Sequence, residues 1–385
     1  MLNFDFQNTT RILFGRDQIA MLENVVPANA NVLVTYGGGS IKKNGVYDQV
    51  VAALKDKNVT MFSGIEPNPT YETLMKAVDI VKANDIDFIL AVGGGSVIDG
   101  SKFIAAAAKF AGDDPWDILA KQAPVEAALP LGAVLTLPAT GSESNVASVV
   151  TRKETHDKLP FMSPLVRPLF AVLDPTVTFS LPEKQVSNGI ADAFIHVMEQ
   201  YLTYPVNADI QDRFAESILS TLIDNGPKAL AEPENYDVRA NVMWAATMAL
   251  NGLIGAGVPQ DWATHMIGHE LTALHGIDHG RTLSIVLPSL MHEKREQKKA
   301  KILQYGERVW GIIDGSDDER IDAAIAKTRA FFESLNIGTR LSDYDVTEAD
   351  IAPIIAKLKQ HGMVKLGEHG DITPEIAENI LRQSL

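Results

Sequence analysis

The sequence contains no cysteine. This absence excludes disulfide bonds, thiolate metal ligands and cysteine nucleophiles. Basic residues are also few, since 34 Lys and Arg stand against 49 Asp and Glu, for a net charge of −15. Surfaces that bind nucleic acid need clusters of Lys and Arg. The charge therefore argues against a nucleic-acid partner, although a local basic pocket could still bind a phosphate.

Long apolar runs are missing as well. No stretch approaches the ~20 apolar residues that a membrane helix requires, so no membrane partner is expected. The first residues, MLNFDFQNTTRILFG, have neither the basic start nor the apolar stretch of a signal peptide. Together with the absence of cysteine, which fits a reducing compartment, this predicts a cytoplasmic protein.

The pattern of the remaining sequence predicts two domains. A chain of 385 residues with 46% hydrophobic content is too long for one ordinary core. Up to residue 181, short apolar strands alternate with helical patterns, which is typical of a parallel sheet covered on both faces. The predicted strands are 11–14, 31–36, 59–62, 86–92, 131–137 and 169–173.

After Leu181-Pro182 the strand signals nearly stop, and the rest of the chain has the periodicity of helices. The predicted helices are 183–203, 207–224, 236–252, 260–274, 282–293, 296–311, 317–335, 347–360 and 373–384. We therefore expect a Rossmann-like α/β domain over residues 1–181 and an all-α domain over residues 182–385.

Two glycine runs each follow a predicted strand and precede a helical pattern. They are residues 37–40 and 93–96, both Gly-Gly-Gly-Ser. Glycines let a backbone approach a ligand closely, and a helix N-terminus favours an anion. A tight turn without a ligand explains the second run equally well. The first run leads to Lys42 and Lys43 rather than to an acid, which favours NADP(H) over NAD, although these lysines could equally be solvated surface charges.

After the glycine runs, the histidines are the second indication of a functional site. Asp192 and His196 are four residues apart, as are His265 and His269, and His279 follows. Residues at this spacing lie on one face of a helix. A carboxylate with neutral imidazoles suits Zn²⁺ or Fe²⁺. Because a single histidine on an apolar face is more often a hydrogen-bonded core residue, spacing alone leaves the metal site and the core as equal alternatives.

Taken together, these motifs resemble the iron-containing, or group III, alcohol dehydrogenases. The matching pieces are GGGSVID at 93–99, TLPATGSE at 136–143, DAFIH at 192–196, and HMIGH at 265–269 with HG at 279–280. The resemblance implies a fold like that of dehydroquinate synthase, with a dinucleotide-binding domain and a helical metal-binding domain. It also implies a homodimer and a small aldehyde or alcohol as substrate.

The resemblance also implies roles for individual residues. The metal ligands would be Asp192, His196, His265 and His279, with His269 lining the site. The pyrophosphate would lie against Gly93, Gly94, Gly95, Ser96 and Asp99, and the adenosine half against Asn68. Thr136, Thr140 and Lys158 would lie along the nicotinamide half, and Gly37, Gly38, Gly39 and Ser40 around the 2′-phosphate.

The expected reaction is NADPH-dependent reduction of an aldehyde to a primary alcohol, and the reverse oxidation. The cofactor would supply the hydride, and one divalent metal would polarise the carbonyl. We expect Zn²⁺ rather than Fe²⁺ because of its higher intrinsic affinity. The catalytic proton could come from His269, from water or from a ribose hydroxyl. Two alternatives are a lyase of the dehydroquinate synthase type and a non-catalytic cofactor-binding protein.

Overall fold

The computed structural model describes residues 1–385. Its first part contains eight strands: β1 (Arg11–Phe14), β2 (Asn31–Tyr36), β3 (Asn58–Phe62), β4 (Phe88–Gly94), β5 (Leu131–Leu137), β6 (Ala147–Arg152), β7 (Asp157–Met162) and β8 (Phe170–Leu173). Six of them form one parallel sheet in the order β1-β8-β5-β4-β2-β3. The other two, β6 and β7, pair as an antiparallel hairpin.

Helices cover both faces of the parallel sheet. They are α1 (Leu22–Val25), α2 (Ser40–Lys43), α3 (Val46–Ala53), α4 (Tyr71–Ala83), α5 (Gly95–Ala107) and α6 (Asp117–Ala120). Successive residues of a strand point to opposite faces. Ile89 and Ala91 of β4 therefore join the core under α4 and α5, whereas Leu90 and Val92 join the core under α3. The strands read as continuous apolar runs because both of their faces are buried.

The strand order reverses between β2 and β4. From β2 the chain runs to β3 on one side, then crosses over to β4 on the other side. Tyr36 at the end of β2 pairs with Val92 near the end of β4. In open α/β sheets, ligands bind outside the carboxyl ends of the strands at such a reversal. The first glycine run follows β2, and the second spans the end of β4 and the start of α5, so both lie at the same edge of the sheet.

The second part of the chain is helical. It contains α7 (Glu183–Tyr201), α8 (Asp209–Ala231), α9 (Tyr236–Ala249), α10 (Ala263–His275), α11 (His279–Glu293), α12 (Lys299–Trp310), α13 (Asp317–Ser334), α14 (Glu348–Gln360) and α15 (Pro374–Gln383). Ser316 and Glu319 form a capping box at the start of α13, which satisfies backbone N–H groups that a helix end leaves free. None of the helices combines the length and the apolar character that crossing a membrane requires.

The chain divides into two compact units. One comprises residues 7–181 together with residues 233–243, and the other comprises residues 1–6, 182–232 and 244–385. Helix α9 contributes to both units. The predicted fold class, a parallel α/β domain followed by a helical domain, is confirmed.

Besides shifts of up to three residues at the ends of elements, two local differences separate the prediction from the structure. The β6–β7 hairpin was not predicted, although the β-branched residues Val149 and Val150 favour a strand. In the structure, the turn residue His156 has a positive φ of 54°. Helix α8 continues to Ala231, beyond the predicted end at 224. Gly226 and Pro227 look like helix breakers, but a Cβ at Gly226 would lie only 3.2 Å from side-chain atoms of Ile190 and Leu335. Tight packing at this glycine therefore outweighs its low helix propensity.

Candidate active site

Three helices bring the predicted metal ligands together around one carboxylate. Oδ1 of Asp192 on α7 lies 3.5 Å from Nε2 of His196, one turn later on the same helix. The same oxygen lies 3.8 Å from Nε2 of His265 on α10 and 3.6 Å from Nε2 of His279 at the start of α11. Asp192, His196 and His265 are buried, and the His279 side chain is 23% exposed.

These distances suit a shared cation. Donor atoms 2.0–2.1 Å from a tetrahedral ion would be about 3.3 Å apart, and the observed distances are only slightly longer. Asp192, His265 and His279 each offer an atom within 4.8 Å of the others. His196 approaches Asp192 but does not belong to that mutual set, although its ring stacks on that of His265 with centroids 4.8 Å apart. The residues present therefore fit a divalent metal.

Glu199 supports this arrangement and was not predicted. Its Oε1 lies 3.0 Å from Nδ1 of His265 and also accepts a hydrogen bond from the His265 backbone N–H at 3.0 Å. A metal-binding histidine commonly donates its other ring N–H to a carboxylate, which fixes the ring and its tautomer. Nε2 of His265 is buried without a hydrogen-bond partner. The sequence did contain a signal for Glu199, because this residue lies on the same face of α7 as Asp192 and His196.

The electrostatics of the site depend on Glu199 as well. Burial alone lowers the pKa of His265, but the carboxylates of Asp192 and Glu199 outweigh burial and raise this pKa to about 9. Burial raises the pKa of Glu199, against the opposing effect of its hydrogen bonds with His265. The protein thus places a second carboxylate behind the donor set. The surroundings of a bound ion would therefore be more negative than one aspartate and three neutral histidines alone would make them.

His269 and Asp278 lie beside the donor set. The His269 ring centroid is 5.1 Å from that of His279 and 6.4 Å from that of His265. Oδ2 of Asp278 is 2.8 Å from Nζ of Lys184 and accepts a hydrogen bond from Nδ2 of Asn188. These contacts attach the start of α11 to the start of α7.

The second glycine run is required by packing within the protein. A Cβ at Gly93 would lie 2.5 Å from Val97, and one at Gly95 would lie 2.5 Å from the side chain of Thr140. A Cβ at Gly94 would lie 3.0 Å from Leu137. None of these glycines has a positive φ. These glycines therefore allow β4, α5 and the segment after β5 to pack closely together.

Asp99 and Lys102, both on α5, hold that segment in place. The Asp99 carboxylate accepts hydrogen bonds from Oγ of Ser142 at 2.5 Å and from the backbone N–H of Val149 at 3.0 Å. Lys102 is fully buried, and its ammonium donates to Oδ1 of Asn145 and to the backbone oxygen of Ala147. Burial raises the pKa of Asp99 and lowers that of Lys102. These contacts fix the segment that contains Thr140.

The first glycine run is more open than the second. A Cβ at Gly38 or Gly39 would meet no atom within 4 Å, and Gly39 has a φ of 98°. Nζ of Lys42, in the following turn, lies 5.5 Å from the ring centroid of Tyr36 and 5.1 Å from that of Tyr47. Cation–π attraction therefore holds this ammonium beside the loop.

Asn68 and Lys158, predicted for opposite halves of the cofactor, contact each other. Nζ of Lys158 donates a hydrogen bond to Oδ1 of Asn68 at 2.9 Å. Asn68 has a positive φ of 54°. Of the two threonines predicted along the nicotinamide half, Thr136 is buried on β5 and Thr140 faces Gly95.

Comparison with known proteins decides the family. The family model described as "Iron-containing alcohol dehydrogenase" matches residues 9–175. The model described as "Fe-containing alcohol dehydrogenase family, C-terminal" matches residues 186–385. The chain belongs to the iron-containing alcohol dehydrogenase family. It is 62% identical over 382 residues to the NADPH-dependent aldehyde reductase YqhD of Escherichia coli K12, with 99% of each chain covered.

Some relatives in the iron-containing alcohol dehydrogenase family are named for NADH instead. A probable NADH-dependent butanol dehydrogenase of Bacillus subtilis is 42% identical, with both chains fully covered. Among solved structures, E. coli YqhD matches with a TM-score of 0.99 at 61% identity, covering 100% of this chain and 99% of that one. An NADH-dependent butanol dehydrogenase of Thermotoga maritima matches with a TM-score of 0.96 at 34% identity and the same coverage.

Proposed function

We propose that this protein is an NADPH-dependent aldehyde reductase, which reduces small aldehydes to primary alcohols and catalyses the reverse oxidation. The observation that carries the proposal is the group of Asp192 and three histidines, buried except for the partly exposed His279, with Glu199 behind His265. The likeness to YqhD, which is named for this activity, supports the same reaction here. The helical domain, residues 182–385, would bind the metal, and residues 1–181 would bind the dinucleotide.

We propose Asp192, His196, His265 and His279 as the ligands of one divalent cation. Such an ion, when bound, supplies Lewis-acid polarisation of the substrate carbonyl. Zn²⁺ has the higher intrinsic affinity, as expected from the sequence. The family description names iron instead, so it gives the zinc preference no support. Metal analysis of the purified protein distinguishes the two.

The protein's own residues have three tasks in this reaction. Glu199 orients the His265 ring through Nδ1 and so directs Nε2 towards Asp192. His269, beside His279, would donate a proton to the oxygen of the product, because histidine is the side chain that most often serves as a general acid. Water or a cofactor ribose hydroxyl are the alternative donors. The buried positions of Asp192 and His265 would keep bulk water from the reacting carbonyl.

For NADPH we propose the residues of both glycine runs and the segments next to them. The cofactor, when bound, supplies the hydride. Gly37, Gly38, Gly39 and Ser40 would surround the 2′-phosphate, with Lys42 near it, because Gly38 and Gly39 face open space. The remaining contacts would come from Asn68, Gly93, Gly94, Gly95, Ser96, Thr136, Thr140 and Lys158. Asp99 would act by holding Ser142 and Val149, since its carboxylate already accepts hydrogen bonds from them.

The test follows oxidation of NADPH by butanal, with NADH in parallel, before and after chelation and after addition of Zn²⁺ or Fe²⁺. We expect chelator-sensitive activity that prefers NADPH. Asp192→Asn should abolish both activity and metal binding, whereas the control His292→Gln should retain both. Equal activity with NADH would overturn the cofactor choice. No turnover with any aldehyde, despite bound metal, would favour a lyase or a binding protein.

We further propose a cytoplasmic homodimer, as the family resemblance implies. Light scattering on the purified protein should then give twice the 41.8 kDa mass of the chain. A mass of 41.8 kDa at working concentration would contradict the dimer. Separation of cytoplasmic and membrane fractions tests the location.

A further inference from the structure

Trp262 stands directly before the helix that carries His265. Its φ of 64° and ψ of 2° place it in the left-handed region, which bulky side chains rarely adopt. Its indole centroid is 5.1 Å from the His265 ring, edge-on, and 6.2 Å from the His196 ring. The side chain is nevertheless partly exposed. An apolar face is therefore held beside two candidate metal ligands.

The residue before Trp262 explains how this backbone conformation is maintained. Asp261 donates its backbone N–H to the backbone oxygen of Glu199 at 2.8 Å, and its Oδ1 accepts from the N–H of Ala263 at 2.9 Å. Its Oδ2 lies 2.7 Å from Nζ of Lys298, a fully buried lysine that also binds both oxygens of Glu368 at 2.8 Å. Unusual backbone conformations persist where the surroundings over-determine them, and they cluster at functional sites.

One further hydrogen bond fixes the indole, and another fixes the backbone of the same residue. Its Nε1 donates a hydrogen bond to Oε1 of Gln260 at 2.7 Å, and the Trp262 backbone oxygen accepts from the N–H of Met266 at 3.1 Å. The polar edge of the ring is therefore satisfied, and the exposed part of this side chain is left for apolar contact. A rigid aromatic face binds hydrocarbon groups with little loss of conformational entropy.

We propose that the indole of Trp262 binds the hydrocarbon tail of the aldehyde and makes the enzyme prefer substrates with longer apolar chains. The proposal rests on the proposed function, because the carbonyl end of the substrate must reach the group of Asp192 and histidines. The tail next to that carbonyl then has Trp262 within reach. Trp262 thus acts as a specificity-determining residue at the same site.

The kinetic test compares propanal, butanal, pentanal and hexanal with NADPH in excess. For the wild type we expect kcat/KM to rise by about fourfold for each added methylene group that the indole covers. Trp262→Gly removes the ring without adding backbone strain, because glycine accepts the left-handed region freely. This variant should lose the dependence on chain length, mainly through KM, since tail binding is equal in ground and transition states. Trp262→Phe should retain most of the dependence on chain length.

A second readout does not depend on activity. Addition of paramagnetic Co²⁺ to the metal-free protein should quench tryptophan fluorescence, mostly that of the indole beside the histidines. Trp262→Phe should lose most of this quenching. The control Trp310→Phe, which changes a ring that packs on Tyr305, should retain it. Co²⁺ binding measured by calorimetry confirms that both variants still take up the ion.

The outcomes separate the two proposals. An active wild type whose chain-length dependence survives in Trp262→Gly would overturn the inference and leave the proposed function intact. Undiminished quenching in Trp262→Phe would also overturn it, because the indole would not lie beside the ion. A wild type that binds Co²⁺ but reduces none of the four aldehydes would overturn the proposed function, and the inference with it.

Discussion

Glu199 and His265 are joined twice: one carboxylate oxygen lies 3.0 Å from the ring nitrogen Nδ1 and 3.0 Å from the backbone nitrogen of the same histidine. The pair links α7 to the first turn of α10, and both side chains are buried. Such a contact fixes the direction of the opposite ring nitrogen, Nε2, before any metal binds. It gives the site a preformed geometry that the histidine spacing alone does not provide.

Glu199→Gln should weaken metal binding. The substitution keeps the size of the side chain but removes the charge that orients and polarises His265. Loss of such a partner typically costs about 10- to 100-fold in metal affinity. Competition with a chelator of known affinity measures the change. Glu216→Gln is the matched control, since this buried glutamate binds Tyr201 and should affect stability but not metal affinity. Unchanged affinity in Glu199→Gln would contradict the proposed role.

Lys102 should make stability depend on pH. Burial lowers its pKa to about 8, from a usual value of 10.5. Between these values the unfolded chain binds more protons than the folded one, so the free energy of unfolding rises with pH, by about 1.4 kcal/mol per pH unit. This contribution is complete above pH 10.5 and is lost as the pH falls through 8.

The measurement compares urea denaturation of the wild type and Lys102→Met from pH 7 to pH 10.5. The wild type should gain stability relative to the variant as the pH rises. Lys55→Met, which changes an exposed lysine, should follow the wild type throughout. A constant difference between wild type and Lys102→Met would show that the lysine does not titrate in this range.

Gly95→Ala and Gly38→Ala should behave differently. A Cβ at Gly95 would lie 2.5 Å from Thr140, whereas one at Gly38 would meet nothing within 4 Å. Gly95→Ala should therefore destabilise the protein by about 1–3 kcal/mol, as thermal denaturation would show. Gly38→Ala should leave the melting temperature unchanged but weaken NADPH binding, measured by cofactor fluorescence. Unchanged NADPH affinity in Gly38→Ala would argue that the cofactor does not approach this loop.

Lys42→Met should reduce the preference for NADPH. If the ammonium held by Tyr36 and Tyr47 contacts the 2′-phosphate, its loss should weaken NADPH binding by about tenfold and leave NADH binding unchanged. The difference should shrink at high salt, because ions screen exposed charges. Lys55→Met serves again as control. Equal losses of affinity for NADPH and NADH would indicate that the substitution disturbs the loop as a whole.

The strand and helix types could be predicted because their signals are local. Apolar runs such as those of β4 and β5 have no polar side to expose, so they predict buried strands, and the cap at Thr373-Pro374 predicts the start of α15. The β6–β7 hairpin was missed because its strands mix polar with apolar residues and are partly exposed. The end of α8 was missed because close packing at Gly226 is not visible in the local sequence.

For the candidate site, the sequence by itself determined which residue types were available and which faces they shared. The spacing of Asp192 and His196 follows from the pitch of one helix. Only the tertiary structure decided that α7, α10 and α11 bring three histidine nitrogens around one carboxylate oxygen, and that Glu199 fixes His265. Likewise, only the strand order placed the two glycine runs side by side. The physical reason is the same in both cases: helix periodicity is local, whereas the meeting of distant elements depends on how their apolar faces pack.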